Sequence, residues 1–287
     1  YEVNQAFDAA ASVAIGFENV YELADGAGVT VAVLDTGIKT DLPEFRNRIS
    51  PGGYDFANSD DTVYDDPVLD AHGTQVAGIL AAAAPGVKIL PLKFMNGSTG
   101  YTSDAIEAIE YAKTCGIKLI NCSWGSENNN LALKETIANS DMLFICAGGN
   151  MVYGDSNISY PSAFSLPNVI SVGAVDAEGK VTDFTNNGTT HALYAPGVNV
   201  ETISQGKVQV TGTSYAAPLV TAAAALMLQT APKLGVELIA SCLREGYEKQ
   251  RYIKLIHAQK AVETVLPYAM LDDSDGRISK LCGMYGG

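Results

Sequence analysis

The stretch of sequence that decides the fold is Val29-Thr30-Val31-Ala32-Val33-Leu34-Asp35-Thr36-Gly37, a β-rich run that stops at a polar turn. Its first six residues do not alternate between apolar and polar side chains, which predicts a strand that is buried on both faces. Such strands are typical of parallel sheets that carry helices on both sides. Four similar runs follow, at residues 87–92, 117–122, 142–146 and 169–175.

Segments with helical periodicity lie between these runs, at residues 76–84, 103–114 and 131–139, and an Ala-rich helix is expected at 213–229. The alternation of strand and helix indicates parallel βαβ units with right-handed crossovers. We therefore predict an α/β fold with three αβα layers and a mainly parallel, doubly wound sheet. No linker or repeat interrupts residues 1–265, which are expected to form one domain, and residues 266–287 a C-terminal extension or tail.

The charge and composition exclude several classes of function. The 287 residues include 18 Lys and Arg against 32 Asp and Glu, a net charge of −14, so the chain lacks the basic character that nucleic-acid binding requires. A hydrophobic content of 47% with 17% charged residues excludes a disordered chain. No apolar run approaches the roughly 20 residues that a membrane span needs.

The five cysteines are an odd number without any C-x-x-C motif, so we expect neither a disulfide framework nor a zinc site. Together with the absence of a visible signal peptide, they slightly favour a cytoplasmic location. A secreted mature form stays open, because the chain begins at Tyr1 and a signal peptide or pro-segment could have been removed.

Two ionisable residues stand where chemistry is expected in such a sheet. Asp35 directly follows the first strand, at the carboxyl end where open parallel sheets gather functional groups. An aspartic protease would need a second Asp-Thr-Gly or Asp-Ser-Gly, and the chain has none. His72 precedes a helix of small residues, so its ring can face the cleft, although an N-capping or packing histidine fits the same position.

Two further polar residues stand at the ends of predicted elements. Ser214 would lie at the N-terminus of the Ala-rich helix, where free N–H groups favour negative charge, although a serine there is also ordinary helix capping. Asn150 follows the strand-like run Phe144-Ile145-Cys146-Ala147, and its side-chain amide can donate a hydrogen bond to an oxyanion.

Taken together, these segments resemble the subtilisin-like serine proteases, the subtilase family. The chain order Asp35, His72, Asn150, Ser214 matches that family's order of Asp, His, Asn and Ser. Three motifs match in series over residues 16–265: Asp-Thr-Gly, His-Gly-Thr-x-Val-Ala-Gly and Gly-Thr-Ser-x-Ala-Ala-Pro. The resemblance implies a subtilisin-like fold and a serine endopeptidase in which Asp35 orients His72, His72 takes the proton of Ser214, and Asn150 holds the oxyanion.

The resemblance also implies where a peptide or protein substrate binds. The substrate is expected to pair as an extended strand between Ser98-Thr99-Gly100 and Ser123-Trp124-Gly125. The pocket for the residue before the cleaved bond would lie between Ser123-Trp124-Gly125 and Ala147-Gly148-Gly149. We expect a monomer that requires no cofactor.

Departures from the family pattern concern calcium and one side chain beside the nucleophile. Segment 78–86 lacks the extra residues that hold calcium in many secreted members, so no metal site is assigned there. Tyr215 replaces the oxidisable Met that often follows the nucleophile. The loop before His72 is rich in carboxylates, and a weak calcium site, an acidic wall that attracts basic substrate residues and a solvated loop all stay open. These carboxylates are Asp55, Asp60, Asp61, Asp65, Asp66 and Asp70.

Two other functions fit the same fold. A catalytically silent subtilase would serve as a binding module, but such chains usually lose one of the four polar residues, and all four are present. An acyl-transfer enzyme such as a peptide macrocyclase would share the acyl-enzyme but needs an insertion that shields it from water. A protease that trims a leader peptide is a narrower form of the endopeptidase hypothesis.

Overall fold

The structure is a computed structural model that describes residues 15–150, 158–188, 191–250 and 252–270. The strands are β1 (Thr30–Asp35), β2 (Tyr54–Asp55), β3 (Lys88–Lys93), β4 (Met95–Asn96), β5 (Thr99–Gly100), β6 (Leu119–Cys122), β7 (Leu143–Ala147), β8 (Val169–Val175), β9 (Leu193–Pro196), β10 (Val200–Ile203), β11 (Lys207–Val210), β12 (Tyr247–Gln250) and β13 (Ile253–Ile256). The α-helices are α1 (Ala71–Ala83), α2 (Thr102–Thr114), α3 (Leu131–Ala138), α4 (Thr213–Thr230), α5 (Val236–Leu243) and α6 (Ala258–Met270).

Nine strands form one sheet in the order β12-β13-β9-β8-β7-β6-β1-β3-β2. Neighbouring strands are parallel except β12 and β13, which form an antiparallel pair at one edge. The chain first adds β2 and β3 on one side of β1 and then crosses to β6 on its other side. This reversal opens a crevice at the carboxyl end of β1, the place where open α/β sheets bind ligands.

The two faces of the sheet pack against separate layers of helices. In β1, Val31 and Val33 belong to a core with α1, α4, α5 and α6, whereas Ala32 and Leu34 belong to a core with α2 and α3. Successive side chains of a strand point to opposite faces, so a strand between two helical layers must be apolar throughout. The predicted three-layer αβα fold with a mainly parallel sheet is confirmed.

Helix α6 crosses residue 265, the predicted end of the domain. Its residues Ala261, Val262 and Val265 are buried in the core that α4 also lines. Residues 271–287 lie outside the described residues, so the division into a domain and a tail stays a prediction. None of the helices in the described part of the chain is long and apolar enough to cross a membrane.

Candidate active site

Asp35 and His72 meet at the crevice beside β1. Asp35 is the last residue of β1 and is buried, while His72 is the second residue of α1. Nδ1 of His72 lies 2.7 Å from Oδ1 of Asp35, and the backbone N–H of Thr36 donates to the same oxygen at 2.7 Å. The carboxylate therefore holds the imidazole through Nδ1, which leaves Nε2 as the nitrogen for proton transfer.

Two glycines allow α1 to approach the end of β1 closely enough for Asp35 and His72 to meet. A side chain at Gly73 would collide with the carbonyl oxygen of Gly37 and would lie 3.2 Å from Cβ of Asp35. Gly37 itself has a φ of +124°, a conformation that favours glycine. The glycines of the Asp-Thr-Gly and His-Gly-Thr motifs thus let α1 lie directly against the end of β1.

The electrostatic environment of His72 favours its protonated form. Burial opposes the charged ring, but the Asp35 carboxylate attracts it and accepts its hydrogen bond, and the net result is a pKa of His72 above the ordinary 6.5. Asp35 thus stabilises the imidazolium, the state that a general base reaches when it takes up a proton.

Ser214 stands at the second position of α4. Its Oγ donates to the carbonyl oxygen of Ser123 at 2.8 Å. No hydrogen bond between Ser214 and His72 occurs in the described part of the chain, so the bond expected between nucleophile and base is not made in this conformation. Catalytic hydrogen bonds are often loose in free enzymes and tighten when substrate binds.

A second contact joins the same two serines in the opposite direction. Pro218 lies inside α4 and has no N–H to donate to the carbonyl oxygen of Ser214, four residues earlier. The hydroxyl of Ser123 donates to that oxygen at 2.7 Å instead. Asn121 donates to Oγ of Ser123 at 2.9 Å and accepts from Thr221 at 2.7 Å. This chain of hydrogen bonds ties the end of β6 to the start of α4.

Thr213 orients the side chain of Asn150. Its backbone N–H and its hydroxyl both lie 2.8 Å from Oδ1 of Asn150 and donate to it. Because Oδ1 accepts both bonds, the Nδ2 group is the part of the amide that can donate to a ligand. The hydroxyl oxygen of Thr213 also accepts from the backbone N–H of Gly149 at 3.0 Å. Thr213 was not predicted as a site residue, although it belongs to the Gly-Thr-Ser motif.

A cavity of ≈ 240 Å³ lies beside Ser214 and Asn150. Its walls include four residues that were predicted to form the substrate pocket: Trp124, Gly125, Ala147 and Gly149. The other two predicted positions do not line it. Ser123 is buried against Ser214, and Gly148 packs against the buried ring of His191.

The remaining walls of this cavity come from Ser126, Glu127, Ile158, Ser159 and Thr213. Glu127 carries the only charged side chain among the described lining residues. No signal in the sequence indicated Glu127, because it is an exposed polar residue in a loop outside the motifs. Its position beside Trp124 depends on the path of the loop after β6.

The predicted residues Ser98, Thr99 and Gly100 lie in and before β5, which pairs with β4 as a short hairpin, and all three are exposed. At the tip of the hairpin, a side chain at Gly97 would lie 3.0 Å from Leu69, in the loop before α1. At its base, the rings of Phe94 and Trp124 pack with centroids 4.8 Å apart. The hairpin thus contacts the loop before α1 and, through Phe94, the wall of the cavity.

Tyr215 packs against His72. The two ring centroids are 5.5 Å apart, and the Tyr215 hydroxyl donates to Oε1 of Gln75 at 2.9 Å. Burial and the negative charge of Asp35 raise the pKa of Tyr215 to about 12, so the phenol keeps its proton and remains a donor. From the sequence, Tyr215 is recognisable only as a replacement for Met, because its contact with His72 is a tertiary one.

The acidic loop before α1 is only partly a solvated surface. Asp60 and Asp61 are exposed, whereas Asp55 and Asp70 are fully buried beside the equally buried Lys93. Burial raises the pKa of the Asp55 carboxyl, although hydrogen bonds from the backbone oppose this effect. No group of three or more His, Cys, Asp or Glu side chains in the described residues is arranged to hold a metal ion. The interpretation as a solvated loop is therefore wrong for the buried carboxylates of Asp55 and Asp70.

Comparison with known proteins places this chain in a family. The profile described as the Subtilase family matches residues 26–260. The major intracellular serine protease of Bacillus subtilis is 36% identical over 223 residues, which cover 70% of this chain and 69% of that protein. Subtilisin Savinase of Lederbergia lenta is 34% identical over 222 residues, or 72% of this chain and 78% of that protein. The chain spans about half of a third relative, the thermophilic serine proteinase of Bacillus sp. strain AK1, at 35% identity over 52% of its length.

Solved structures agree with these relatives. A cold adapted subtilisin-like serine proteinase superposes with a TM-score of 0.74 at 27% identity, covering 82% of this chain and 90% of that one. A lanthipeptide protease superposes with a TM-score of 0.75 at 23% identity, a likeness that concerns the fold alone. The chain therefore belongs to the subtilase family of subtilisin-type serine endopeptidases.

Proposed function

We propose that Asp35, His72 and Ser214 are the catalytic triad of this chain, which hydrolyses peptide bonds through an acyl-enzyme. The observation that carries the proposal is the 2.7 Å contact between Nδ1 of His72 and Oδ1 of the buried Asp35. A carboxylate in this position fixes the proton on Nδ1 and makes Nε2 the base. Ser214 fits the nucleophile because it stands at the N-terminus of α4, where positive charge of the helix dipole favours an oxyanion.

The first chemical step forms the acyl-enzyme. When substrate binds, the Ser214 hydroxyl leaves the carbonyl of Ser123 and donates to Nε2 of His72. His72 takes the proton while Oγ attacks the carbonyl carbon, and the resulting oxyanion accepts hydrogen bonds from Nδ2 of Asn150 and from the backbone N–H of Ser214. The C–N bond then breaks, and the leaving amine receives the proton from His72.

The second step releases the product. Water replaces the amine and gives a proton to His72 as its oxygen attacks the ester carbon. The tetrahedral intermediate collapses, the C–O bond to Ser214 breaks, and the proton returns to Oγ. The cycle thus consumes one water and leaves the enzyme unchanged.

The substrate is proposed to be an extended peptide that lies between the β4–β5 hairpin and Ser123-Trp124-Gly125. The side chain before the cleaved bond would enter the ≈ 240 Å³ cavity beside Ser214. A processing protease that removes a leader peptide is the narrower form of this proposal. It would cut one or a few sites in a peptide library, whereas a degradative enzyme would cut many.

The experiment combines active-site labelling with product analysis. A fluorophosphonate probe should label the wild type and should not label Ser214→Ala. Ser50→Ala is the matched control and should label normally. Ser50 lies beside the start of β3, at the end opposite to the crevice, where its backbone N–H donates to the carbonyl oxygen of Ile89. Absence of labelling in the wild type would refute the proposal and favour a silent binding module. Labelling with cyclic products instead of hydrolysed ones would favour a macrocyclase.

A further inference from the structure

Lys93 ends β3 with its side chain fully buried in a group of carboxylates. Its Nζ lies 2.6 Å from Oδ1 of Asp70, 3.3 Å from Oδ2 of Asp65 and 4.0 Å from Oδ2 of Asp55. A buried ammonium is very costly without a partner of opposite charge, and a group of carboxylates meets that need. A side chain of the protein itself therefore supplies a cation beside these carboxylates.

The oxygens around Lys93 are also engaged by N–H donors. The backbone N–H groups of Asp65 and Asp66 donate to Oδ2 of Asp70 at 2.6 and 3.1 Å. Asp55 accepts from the backbone of Ala57 and from the backbone and side chain of Asn58, at 2.7 to 3.0 Å. Calcium requires about six to eight oxygen ligands around an open centre. Calcium does not fit here, because the Lys93 ammonium occupies the centre, while the N–H groups use only part of the acceptor capacity of these carboxylates.

The same ion pairs lie directly beside the Asp35 turn. Lys93 is the register partner of Asp35 in the parallel pair of β3 and β1, so both side chains point to the same face of the sheet. A side chain at Gly37 would lie 3.1 Å from Cδ of Lys93 and 3.3 Å from Cγ of Asp70. Asp70 immediately precedes α1, in which His72 is the second residue. The Lys93–Asp70 pair thus fastens the start of α1 to β3.

We propose that Lys93 is a built-in cation that takes the place of calcium in the acidic loop and positions His72 through Asp70. Lys93 does not touch the reacting atoms, so it is a positioning residue. The effect on stability is independent of the reaction, whereas the effect on catalysis rests on the proposed function.

Thermal unfolding in calcium and in EDTA tests the structural part. All variants carry Ser214→Ala to prevent self-digestion. Lys93→Ala should lower the midpoint by roughly 5–10 °C, because it leaves buried carboxylates without their partner. Calcium should raise the midpoint of Lys93→Ala by several degrees and leave the parent unchanged, since metal binding to the folded state alone stabilises it. Lys88→Ala, at the exposed start of the same strand, is the matched control and should respond to neither change.

Two results would overturn this part of the proposal. One is a Lys93→Ala protein with the same unfolding midpoint as the parent, and the other is an equal shift of both midpoints on addition of calcium. If Lys93→Ala does not fold, Lys93→Met combined with Asp70→Asn removes both charges of the closest pair. The double variant should fold and melt above Lys93→Met alone, and a double variant as unstable as the single one would contradict the pairing.

Steady-state kinetics tests the positioning part in the Ser214 enzyme. Rates are expressed per active site titrated with the fluorophosphonate, so a smaller folded fraction does not lower them. Lys93→Met should reduce kcat about tenfold or more with a nearly unchanged KM, because small displacements of a catalytic group are costly. An unchanged kcat per titrated site would refute positioning. A wild type that takes no label would instead refute the triad and leave the result on stability untouched.

Discussion

The hydrogen bond from Ser123 to the carbonyl of Ser214 leads to a double-mutant prediction. That carbonyl lacks a helical partner because residue 218 is proline, and the Ser123 hydroxyl donates to it at 2.7 Å. Ser123→Ala removes this donor and also the acceptor that Asn121 Nδ2 reaches at 2.9 Å. Two polar groups at a buried position then lose their partners.

The size of the effect follows from the cost of unpaired buried groups. Each costs about 1–3 kcal/mol, so Ser123→Ala should lower the free energy of unfolding by about 2–6 kcal/mol. Pro218→Ala supplies a backbone N–H that can donate to the Ser214 carbonyl. In that background Ser123→Ala should cost about 1–3 kcal/mol less, because only Asn121 is still left without its partner.

Denaturant unfolding measures both quantities. The four proteins of the cycle carry Ser214→Ala, which abolishes self-digestion and retains the backbone carbonyl of residue 214. Circular dichroism and tryptophan fluorescence should give coincident transitions, since the coupling energy is defined only for two-state unfolding. Strictly additive costs of Ser123→Ala and Pro218→Ala would refute the reasoning, because they would show that the Ser123 hydroxyl does not substitute for the missing N–H.

Three further predictions concern the reaction itself, and a fourth concerns the stability of the fold. Asn150→Ala should lower kcat by about 10²–10³-fold with little change in KM, because the amide would act on the oxyanion and not on the bound ground state; an equal rise in KM would argue against this role. The raised pKa of His72 requires that kcat/KM falls on the acid side through an apparent pKa above 6.5, since only the neutral ring accepts the proton. The same shift contributes stability below pH 6.5 that is lost as the pH rises through the raised value, and Asp35→Asn should abolish it in urea titrations at several pH values. Tyr215 offers no thioether beside the nucleophile, so mild peroxide should leave activity largely intact, whereas Tyr215→Met should make the enzyme sensitive; rapid loss of wild-type activity would contradict this.

The fold was predictable because its central strands are buried on both faces. The runs that became β1, β3, β6, β7 and β8 are almost wholly apolar, a pattern that few other structures accommodate. The β10–β11 and β12–β13 pairs escaped prediction because they are short and partly exposed, with polar residues that fit turns equally well. Helix α1 begins earlier than its periodicity indicated, since Ala71 to Gln75 include no large apolar residue.

The residues of the candidate site were also predictable only in part. Asp35, His72, Asn150 and Ser214 were recognisable because each ends or begins an element and belongs to a motif that resembles the subtilases. Glu127 and Thr213 line the cavity without having been predicted, and Ser123 and Gly148 lie behind it. Not every residue of a predicted wall segment lines the cavity, so a motif identifies the wall without identifying which of its residues face the cavity.

The sequence by itself determined the α/β class and the order of the strands along the chain, and it indicated the four polar residues that we propose for the site, because these depend on local periodicity and on short motifs. Only the tertiary structure decided which side chains the acidic loop and the candidate site residues contact. Lys93 and Asp70, and Ser123 and Ser214, are distant in the chain and meet only when β3 lies beside β1 and α4 packs against β6. The sequence shows a carboxylate-rich loop and a lysine in a strand, but their pairing is a consequence of strand order, and that order is set by packing of the whole sheet.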